Sequence, residues 1–204
     1  MSGEALIEKR RLAPPPGEDF WVFAYGSLMW RPGFPFRESQ PALLRGYHRA
    51  FCVFSFHYRG TERRPGLVLG LDRGGSCRGR AFRIAATDGR SVADYLHERE
   101  MITGVYNPRW LPVEIPGRRV IAATYLVDPG HEQYAGKLGD AAAVRLILQG
   151  QGRSGSNLEY LENTVRHLDE LGIADCPLHR LLRLAEQQAK TGTGAKAKGR
   201  RRAT

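Results

Sequence analysis

The chain has 204 residues, 42% of them hydrophobic, which is enough for one compact domain with a sizeable core. Cys52, Cys77 and Cys176 lack the Cys-x-x-Cys spacing of a zinc knuckle and are too few for a disulfide framework. No apolar run approaches the roughly 18 residues of a membrane span, and the charged, proline-rich start is not typical of a signal peptide. We therefore predict a soluble, cytoplasmic protein without a membrane partner.

The formal net charge of +10 is concentrated at the end of the chain. Six of the positive charges lie there, with no acidic residue among them: Lys190, Lys196, Lys198, Arg200, Arg201 and Arg202. We predict a disordered basic tail over residues 190–204, preceded by an irregular leader (1–18) and a single domain (19–189). The tail could contact nucleic acid or an anionic membrane without specificity, but such tails are more often solvated appendages, so no specific nucleic-acid partner is predicted.

The first predicted strand ends in a turn that could bind an anion. Residues Phe20–Tyr25 are apolar and run directly into Gly26 and Ser27. A small-residue turn leaves backbone N–H groups unpaired, glycine lets the main chain approach a ligand, and serine adds a hydroxyl. The turn could hold a carboxylate or a developing oxyanion, and the alternative is an ordinary turn after an ordinary strand.

A loop and a long strand follow. The prolines within residues 31–36 predict a loop, because proline lacks the N–H that a ladder or helix interior needs. The aromatic and β-branched run Ala42–Phe56 predicts a strand long enough to bend across a curved sheet, and Tyr58–Gly66 a polar loop.

Four more strands are predicted as two hairpins. The hairpins are Leu67–Leu71 with Ser76–Ala86 around the turn Asp72–Gly75, and Trp110–Ile115 with Val120–Val127 around Pro116–Arg118. The total is about six strands, and no strand–helix–strand repeat occurs. This pattern predicts an α+β fold with a mainly antiparallel, barrel-like sheet flanked by helices.

A helix predicted from Ser91 to about Thr103 carries a candidate acid. Ser91 with Asp94 resembles a capping box. At about 100° per residue, Glu100 projects on the apolar half of this helix, whereas Glu98 falls outside it. A carboxyl on the core side is either part of an internal ion pair with an arginine or a proton-transfer group whose pKa burial raises. The residues leave both open, with Glu98 as the fallback base.

The last third of the chain is predicted to be helical. The expected helices run from Asp140 to Gln149, from Ser156 or Asn157 to Gly172, and from about Pro177 onward. Tyr160 lies off the leucine face of the second helix and could turn its hydroxyl towards a pocket, although packing at the edge of that face is the default. Gly150–Gly155 matches G-x-G-x-x-G but follows a helix and not a strand, so we interpret it as a flexible link.

The sequence offers no pattern for a cofactor. The six histidines lack metal-ligand spacing, and no nucleophile elbow or phosphate-binding loop occurs. We therefore predict no metal, no nucleotide and no covalent nucleophile, which leaves acid–base chemistry and backbone donors.

Five blocks of sequence carry a family resemblance. They are Phe23–Phe34 with Tyr-Gly-Ser-Leu, Tyr58–Thr61 together with Arg64–Leu69, Gly75–Cys77, Arg99–Tyr106 with Arg-Glu, and Gly155–Leu161 with Glu-Tyr-Leu. In these blocks, spread over Phe20–Leu184, the chain resembles the ChaC-like γ-glutamylcyclotransferases, particularly the bacterial branch. Tyr-Gly-Ser-Leu alone would be a weak signal, whereas five blocks in the same order are specific.

The resemblance implies a γ-glutamylcyclotransferase-like fold and a lyase that cleaves glutathione, without a cofactor, to 5-oxoproline and cysteinylglycine. It implies that Glu100 is the catalytic acid and base. It also implies that the γ-glutamyl group is bound by Tyr25, Gly26, Ser27 and Leu28, with Tyr160 as a further substrate contact.

Two alternatives to this function stay open. Val53–His57 and Met101–Tyr106 differ from the eukaryotic branch, so the substrate could be another γ-glutamyl peptide or amine. A non-catalytic protein that binds nucleic acid through the basic tail is the second alternative. Arg49, Arg59 and Arg64 are candidate partners for a substrate carboxylate.

Overall fold

A computed structural model describes the backbone of residues 11–200 and the side chains of residues 11–191. The strands are β1 Phe20–Ala24, β2 Glu38–Ser55, β3 Gly66–Ile84, β4 Tyr106–Ile115, β5 Arg118–Val127, β6 Gln151–Gly152 and β7 Gly155–Ser156. The α-helices are α1 Gly89–Glu100, α2 Asp140–Gln149, α3 Asn157–Glu170 and α4 Cys176–Arg200, with 3₁₀ helices at Ser27–Met29 and Ala86–Asp88.

The five long strands form a closed barrel in the order β1-β3-β2-β4-β5. Strand β1 pairs with β3, β2 with β4 and β4 with β5 in antiparallel fashion. Strands β1 and β5 run parallel, with Trp21 opposite Ala122, and this pair closes the barrel. The predicted α+β fold with a mainly antiparallel, barrel-like sheet is therefore confirmed.

Alternate residues of β1 and β5 lie on opposite faces of the sheet. Trp21 and Phe23 of β1 join Ala122 and Leu126 of β5 in the apolar cluster that fills the barrel. The other face of β1 is buried as well, since all five of its side chains are buried. This double burial explains why β1 has no polar alternation in the sequence.

The hairpin predicted over Leu67–Ala86 is wrong, because one continuous strand, β3, runs from Gly66 to Ile84 through the predicted turn. The consecutive glycines Gly74 and Gly75 both have positive φ angles, 97° and 69°, and they bend the strand without reversing it. The Gly74 carbonyl oxygen lies 3.0 Å from Nδ1 of His48 on the neighbouring β2. The second predicted hairpin is confirmed as β4 and β5.

The capping box predicted at Ser91 is also wrong. The 3₁₀ helix Ala86–Asp88 leads directly into α1, so Ser91 lies inside the first turn of the helix and not before it. Its hydroxyl donates a hydrogen bond to the Asp88 carbonyl at 2.9 Å. At the other end, α1 stops at Glu100, three residues before the predicted end.

The chain divides into two compact units. The first comprises the chain up to Val53 together with Leu69–Tyr134, and the second comprises Phe54–Val68 together with the chain from Ala135. The single domain over residues 19–189 stays a prediction, because two contact units can belong to one domain or to two.

The disordered tail over residues 190–204 stays a prediction, and the structure continues the backbone of α4 to Arg200. Extending a helix that is already formed fixes one residue per added hydrogen bond, which costs far less than starting one. Residues 201–204 and 1–10 lie outside the described part of the chain. Among the described residues, no helix combines the length and the hydropathy that a membrane span requires.

The flexible link predicted at Gly150–Gly155 is instead a small hairpin of β6 and β7 in the second unit. The N–H groups of Arg153 and Ser154 donate to the carbonyls of His57 and Tyr58 at 2.9 and 3.0 Å. A Cβ at Gly152 would lie 2.4 Å from the carbonyl carbon of Tyr58. The glycines therefore allow two backbone segments to approach closely, and they do not make this segment a flexible link.

Candidate functional site

Helix α1 lies along β1, and both elements end at the same place in the first unit. At the start of the helix, a Cβ at Gly89 would lie 3.5 Å from Cε1 of Phe20. Near its end, Arg99 Nη2 donates a hydrogen bond to Ser27 Oγ at 2.8 Å. The last residue of α1, Glu100, is thus brought to the turn that follows β1.

The guanidinium of Arg99 connects the candidate acid to the turn. Its Nε lies 3.2 Å from Glu100 Oε1, while Nη2 bonds Ser27. Its Nη1 donates to Tyr95 Oη at 2.8 Å and to the Arg31 carbonyl at 3.0 Å. One cation therefore fixes the carboxyl relative to the Tyr25–Leu28 turn.

The sequence left open whether Glu100 forms an internal ion pair or has a raised pKa, and the structure shows both. Its side chain is 19% exposed, and burial raises the pKa of this carboxyl, while the charge and hydrogen bond of Arg99 act in the opposite direction. The position at the C-terminal end of α1 also disfavours a negative charge, because helix dipoles point their negative ends there. Glu100 is therefore paired with an arginine and still holds a proton more readily than an ordinary glutamate. Glu98, the fallback base, is exposed.

The turn after β1 presents backbone donors. The first bond of the 3₁₀ helix runs from the Met29 N–H to the Gly26 carbonyl, at 2.9 Å. The N–H groups of Ser27 and Leu28 precede this bond and have no partner within the helix. Two adjacent N–H groups of this kind can donate hydrogen bonds to a developing oxyanion.

Tyr25 contributes to the turn through its backbone. Its ring packs against the apolar cluster inside the barrel, and its carbonyl accepts a hydrogen bond from Nε of Arg49. Arg49 is 4% exposed, and its Nη2 donates to the Arg78 carbonyl at 2.6 Å and lies 3.9 Å from Met29 Sδ. The sequence offered Arg49 as a partner for a substrate carboxylate, whereas the structure uses it to hold the turn. An arginine within an aromatic strand was the only sequence signal of this role.

Tyr160 lies in the second unit. It is half-buried, and the guanidinium of Arg59 lies 5.1 Å from the centre of its ring. Arg59 Nη1 also donates to the Ser156 carbonyl at 3.1 Å. These contacts fix the ring, and a role for Tyr160 in substrate binding stays a prediction.

Tyr125, which no sequence motif marks, lies close enough to Glu100 to feel its charge. Burial raises the pKa of the Tyr125 hydroxyl, and the negative charge of Glu100 raises it further. Nothing in the sequence distinguishes this tyrosine of β5 from one that only fills the core. Among the described residues, no three His, Cys, Asp or Glu side chains are grouped as metal ligands.

Comparisons with known proteins identify the family of the chain. A family described as ChaC-like protein matches residues 20–188. A protein of Escherichia coli named glutathione-specific γ-glutamylcyclotransferase is 39% identical over 163 residues, which cover 79% of this chain and 71% of that protein. A mouse protein named glutathione-specific γ-glutamylcyclotransferase 1 is 34% identical over 146 residues, 69% of this chain and 66% of that protein.

A crystal structure of a yeast γ-glutamyl cyclotransferase specific to glutathione shows the same fold. It superposes with a TM-score of 0.76 at 22% identity and covers 83% of this chain and 96% of the yeast chain.

Proposed function

The chain belongs to the ChaC-like family, and on that premise we propose that it is a glutathione-specific γ-glutamylcyclotransferase, a lyase that releases 5-oxoproline and cysteinylglycine. The observation that supports this assignment best is Glu100, a largely buried carboxyl of raised pKa that Arg99 links to the Ser27 turn. An acid and a set of backbone donors in one place are what the reaction requires.

The first step is removal of a proton from the substrate. The α-amino group of glutathione, with a pKa of about 8, is mostly protonated at neutral pH and cannot attack. Glu100 takes this proton, which suits a carboxyl whose pKa lies above its ordinary value.

The second step closes the ring. The free amine attacks the γ-carbonyl carbon of the same molecule, so a C–N bond forms and the carbonyl oxygen becomes negative. The reactants are tethered, so the main task of the protein in this step is to fold the γ-glutamyl chain into its reactive conformer. The N–H groups of Ser27 and Leu28 stabilise the oxyanion, at about 3 kcal/mol for each well-placed donor.

The third step breaks the amide. The tetrahedral intermediate collapses, the bond to the cysteine nitrogen breaks, and Glu100 returns its proton to the leaving amine. The ring nitrogen gives up its second proton as it becomes an amide, and the leaving amine takes up that proton to become an ammonium. The same carboxyl thus acts as base and then as acid, and no net proton is gained or lost.

Two arginines act as positioning residues in this scheme. Arg99 holds Glu100 and Ser27 at a fixed separation, and Arg49 holds the carbonyl of Tyr25. Neither is assigned a bond to the substrate.

The experiment that tests the proposal is incubation of the purified protein with glutathione and measurement of 5-oxoproline. Release of 5-oxoproline and cysteinylglycine in equal amounts is the expected result, and its absence would overturn the assignment. Rates on γ-glutamyl-alanine and on oxidised glutathione, measured beside those on glutathione, test the alternative of a broader γ-glutamyl substrate range. The cytoplasm is the compartment that we propose, because glutathione keeps thiols reduced there and the cysteines of this chain are free.

A further inference from the structure

Tyr125 occupies a defined place beside the end of β1. Thr124 Oγ1 of β5 donates to the Phe23 carbonyl of β1 at 3.1 Å, and the two strands are parallel, so the next residue of β5 reaches the level where β1 ends. Ala122 and Leu126 face the interior of the barrel. Because side chains alternate along a strand, Tyr125 points to the opposite face.

The hydroxyl of Tyr125 is buried without a partner. The residue is 3% exposed, and its Oη has no hydrogen-bond partner among the residues that the structure describes. Buried tyrosine hydroxyls usually find a partner, since an unsatisfied one costs stability. A buried hydroxyl that lacks a partner and lies near a candidate catalytic carboxyl is a candidate ligand contact.

The phenol is also chemically suited to such a contact. Burial, followed by the charge of Glu100, raises the pKa of Tyr125, so the hydroxyl stays neutral and does not compete with Glu100 for a proton. A neutral hydroxyl can both donate and accept a hydrogen bond.

We propose that the hydroxyl of Tyr125 binds the α-amino group of the γ-glutamyl substrate beside Glu100, an assignment that rests on the function proposed above. After proton transfer the amine keeps two N–H bonds and one lone pair. Acceptance of one N–H by Tyr125 Oη fixes the rotation of the amine and directs its lone pair at the γ-carbonyl carbon. Orientation of the nucleophile towards the carbonyl carbon lowers the barrier to ring closure.

The first test is Tyr125→Phe, which removes only the hydroxyl. We expect kcat to fall up to about tenfold, the effect of one hydrogen bond between neutral groups. The thermal unfolding midpoint should stay the same or rise, because an unsatisfied buried hydroxyl has been removed. Tyr47→Phe, the same change at a half-buried ring packed on the barrel interior, is the matched control and should leave kcat unchanged. A lower midpoint together with unchanged kcat in Tyr125→Phe would show a structural hydroxyl and overturn the proposal.

The second test does not depend on turnover. In a Glu100→Gln background, calorimetry compares binding of glutathione with binding of its deamino analogue, in which hydrogen replaces the α-amino group. We expect Tyr125→Phe to weaken binding of glutathione about tenfold and to leave binding of the analogue unchanged. Equal effects on both ligands, or no effect on either, would overturn the proposal. Failure of the wild-type protein to release 5-oxoproline would contradict the proposed function alone, since this binding comparison still judges Tyr125.

Discussion

At the scale of single residues, the charge of Glu100 couples activity to stability. Its folded pKa is raised, so the folded protein binds this proton more tightly than the unfolded chain does. The protonated Glu100 carboxyl contributes stability that is fully present below the pKa of the unfolded state. This contribution is lost as the pH rises through the pKa of the folded state. At neutral pH, therefore, the carboxyl that we propose as acid and base weakens the fold, a cost that catalytic sites commonly carry.

Glu100→Gln tests the acid directly. We expect kcat for glutathione to fall by about 10²–10⁴, the range for loss of a general acid or base. The variant should bind glutathione and be at least as stable as the wild type at pH 7, with a smaller difference in acid. Undiminished release of 5-oxoproline would remove Glu100 from the mechanism. Glu98→Gln, an exposed glutamate on the same helix, is the control and should retain full activity.

Arg99→Gln tests how the carboxyl is tuned. Arg99 supplies the interactions that lower the pKa of Glu100, so the variant should raise that pKa further. Since the base works when it is deprotonated, the acid limb of the profile of kcat/KM against pH should move to higher pH. Arg90→Gln, at an exposed arginine of the same helix, should leave the profile in place. An unmoved acid limb in Arg99→Gln would mean that Glu100 does not produce it.

At the scale of elements, the turn after β1 is held from two sides. Arg49 of β2 bonds the carbonyl of Tyr25 and that of Arg78 on β3, so three neighbouring strands meet at one buried guanidinium. From the helical side, Arg99 of α1 bonds Ser27. The turn is thus fixed by regular elements, which suits a site that must hold its donors in place.

Arg49→Met removes the first of these supports. Methionine fills similar space but leaves the carbonyls of Tyr25 and Arg78 without this donor, which should cost about 2–5 kcal/mol of unfolding free energy. Chemical denaturation measures the loss, and kcat should fall with it because the turn loosens. Arg109→Met, at an exposed arginine of β4, is the control and should be close to neutral. A stable Arg49→Met variant with normal kcat would show that the turn does not need this support.

Gly33→Ala tests the loop between β1 and β2. Gly33 has φ +73°, and a Cβ there would lie 2.0 Å from Tyr95 Oη, the group that bonds Arg99. We expect a loss of stability above the roughly 1–2 kcal/mol of left-handed strain alone, together with lower kcat. Gly117→Ala has φ +76° with no atom within 4 Å of the added Cβ, so it isolates the strain and should leave kcat intact. Equal losses of stability in the two variants would mean that Tyr95 moves aside freely.

At the scale of the whole molecule, the residues assigned to the chemistry lie in the first unit, and Tyr160 with Arg59 lies in the second. The family match ends at residue 188, before the basic tail begins. We therefore expect the residues within the family match to be sufficient for catalysis, and the tail to contribute only to binding of other molecules.

Deleting residues 192–204 should therefore leave kcat/KM for glutathione unchanged. If the tail binds nucleic acid, filter binding of the full chain should show an affinity that falls with salt and that the truncated chain lacks. Loss of turnover in a truncated chain that still unfolds cooperatively would show that the tail belongs to the catalytic part.

The sequence by itself determined most of the elements and the candidate acid. Apolar runs and alternation located β1, β4 and β5, and helical periodicity placed Glu100 on the inward half of α1. These are properties of neighbouring residues, and local sequence fixes them. The hairpin within β3 was missed because a Gly-Gly pair specifies a bend, and only the pairing of β3 with its neighbouring strands decides whether the chain turns back.

Only the tertiary structure decided what surrounds that acid. The bond from Arg99 to Ser27 spans 72 positions and that from Arg49 to Tyr25 spans 24, and no local pattern encodes which donor meets which acceptor. The buried hydroxyl of Tyr125 became visible in the same way, since a tyrosine in a strand looks the same in sequence whether or not its oxygen has a partner. Periodicity records how a side chain is oriented relative to its own element, whereas charge balance and hydrogen bonding depend on elements that the fold brings together.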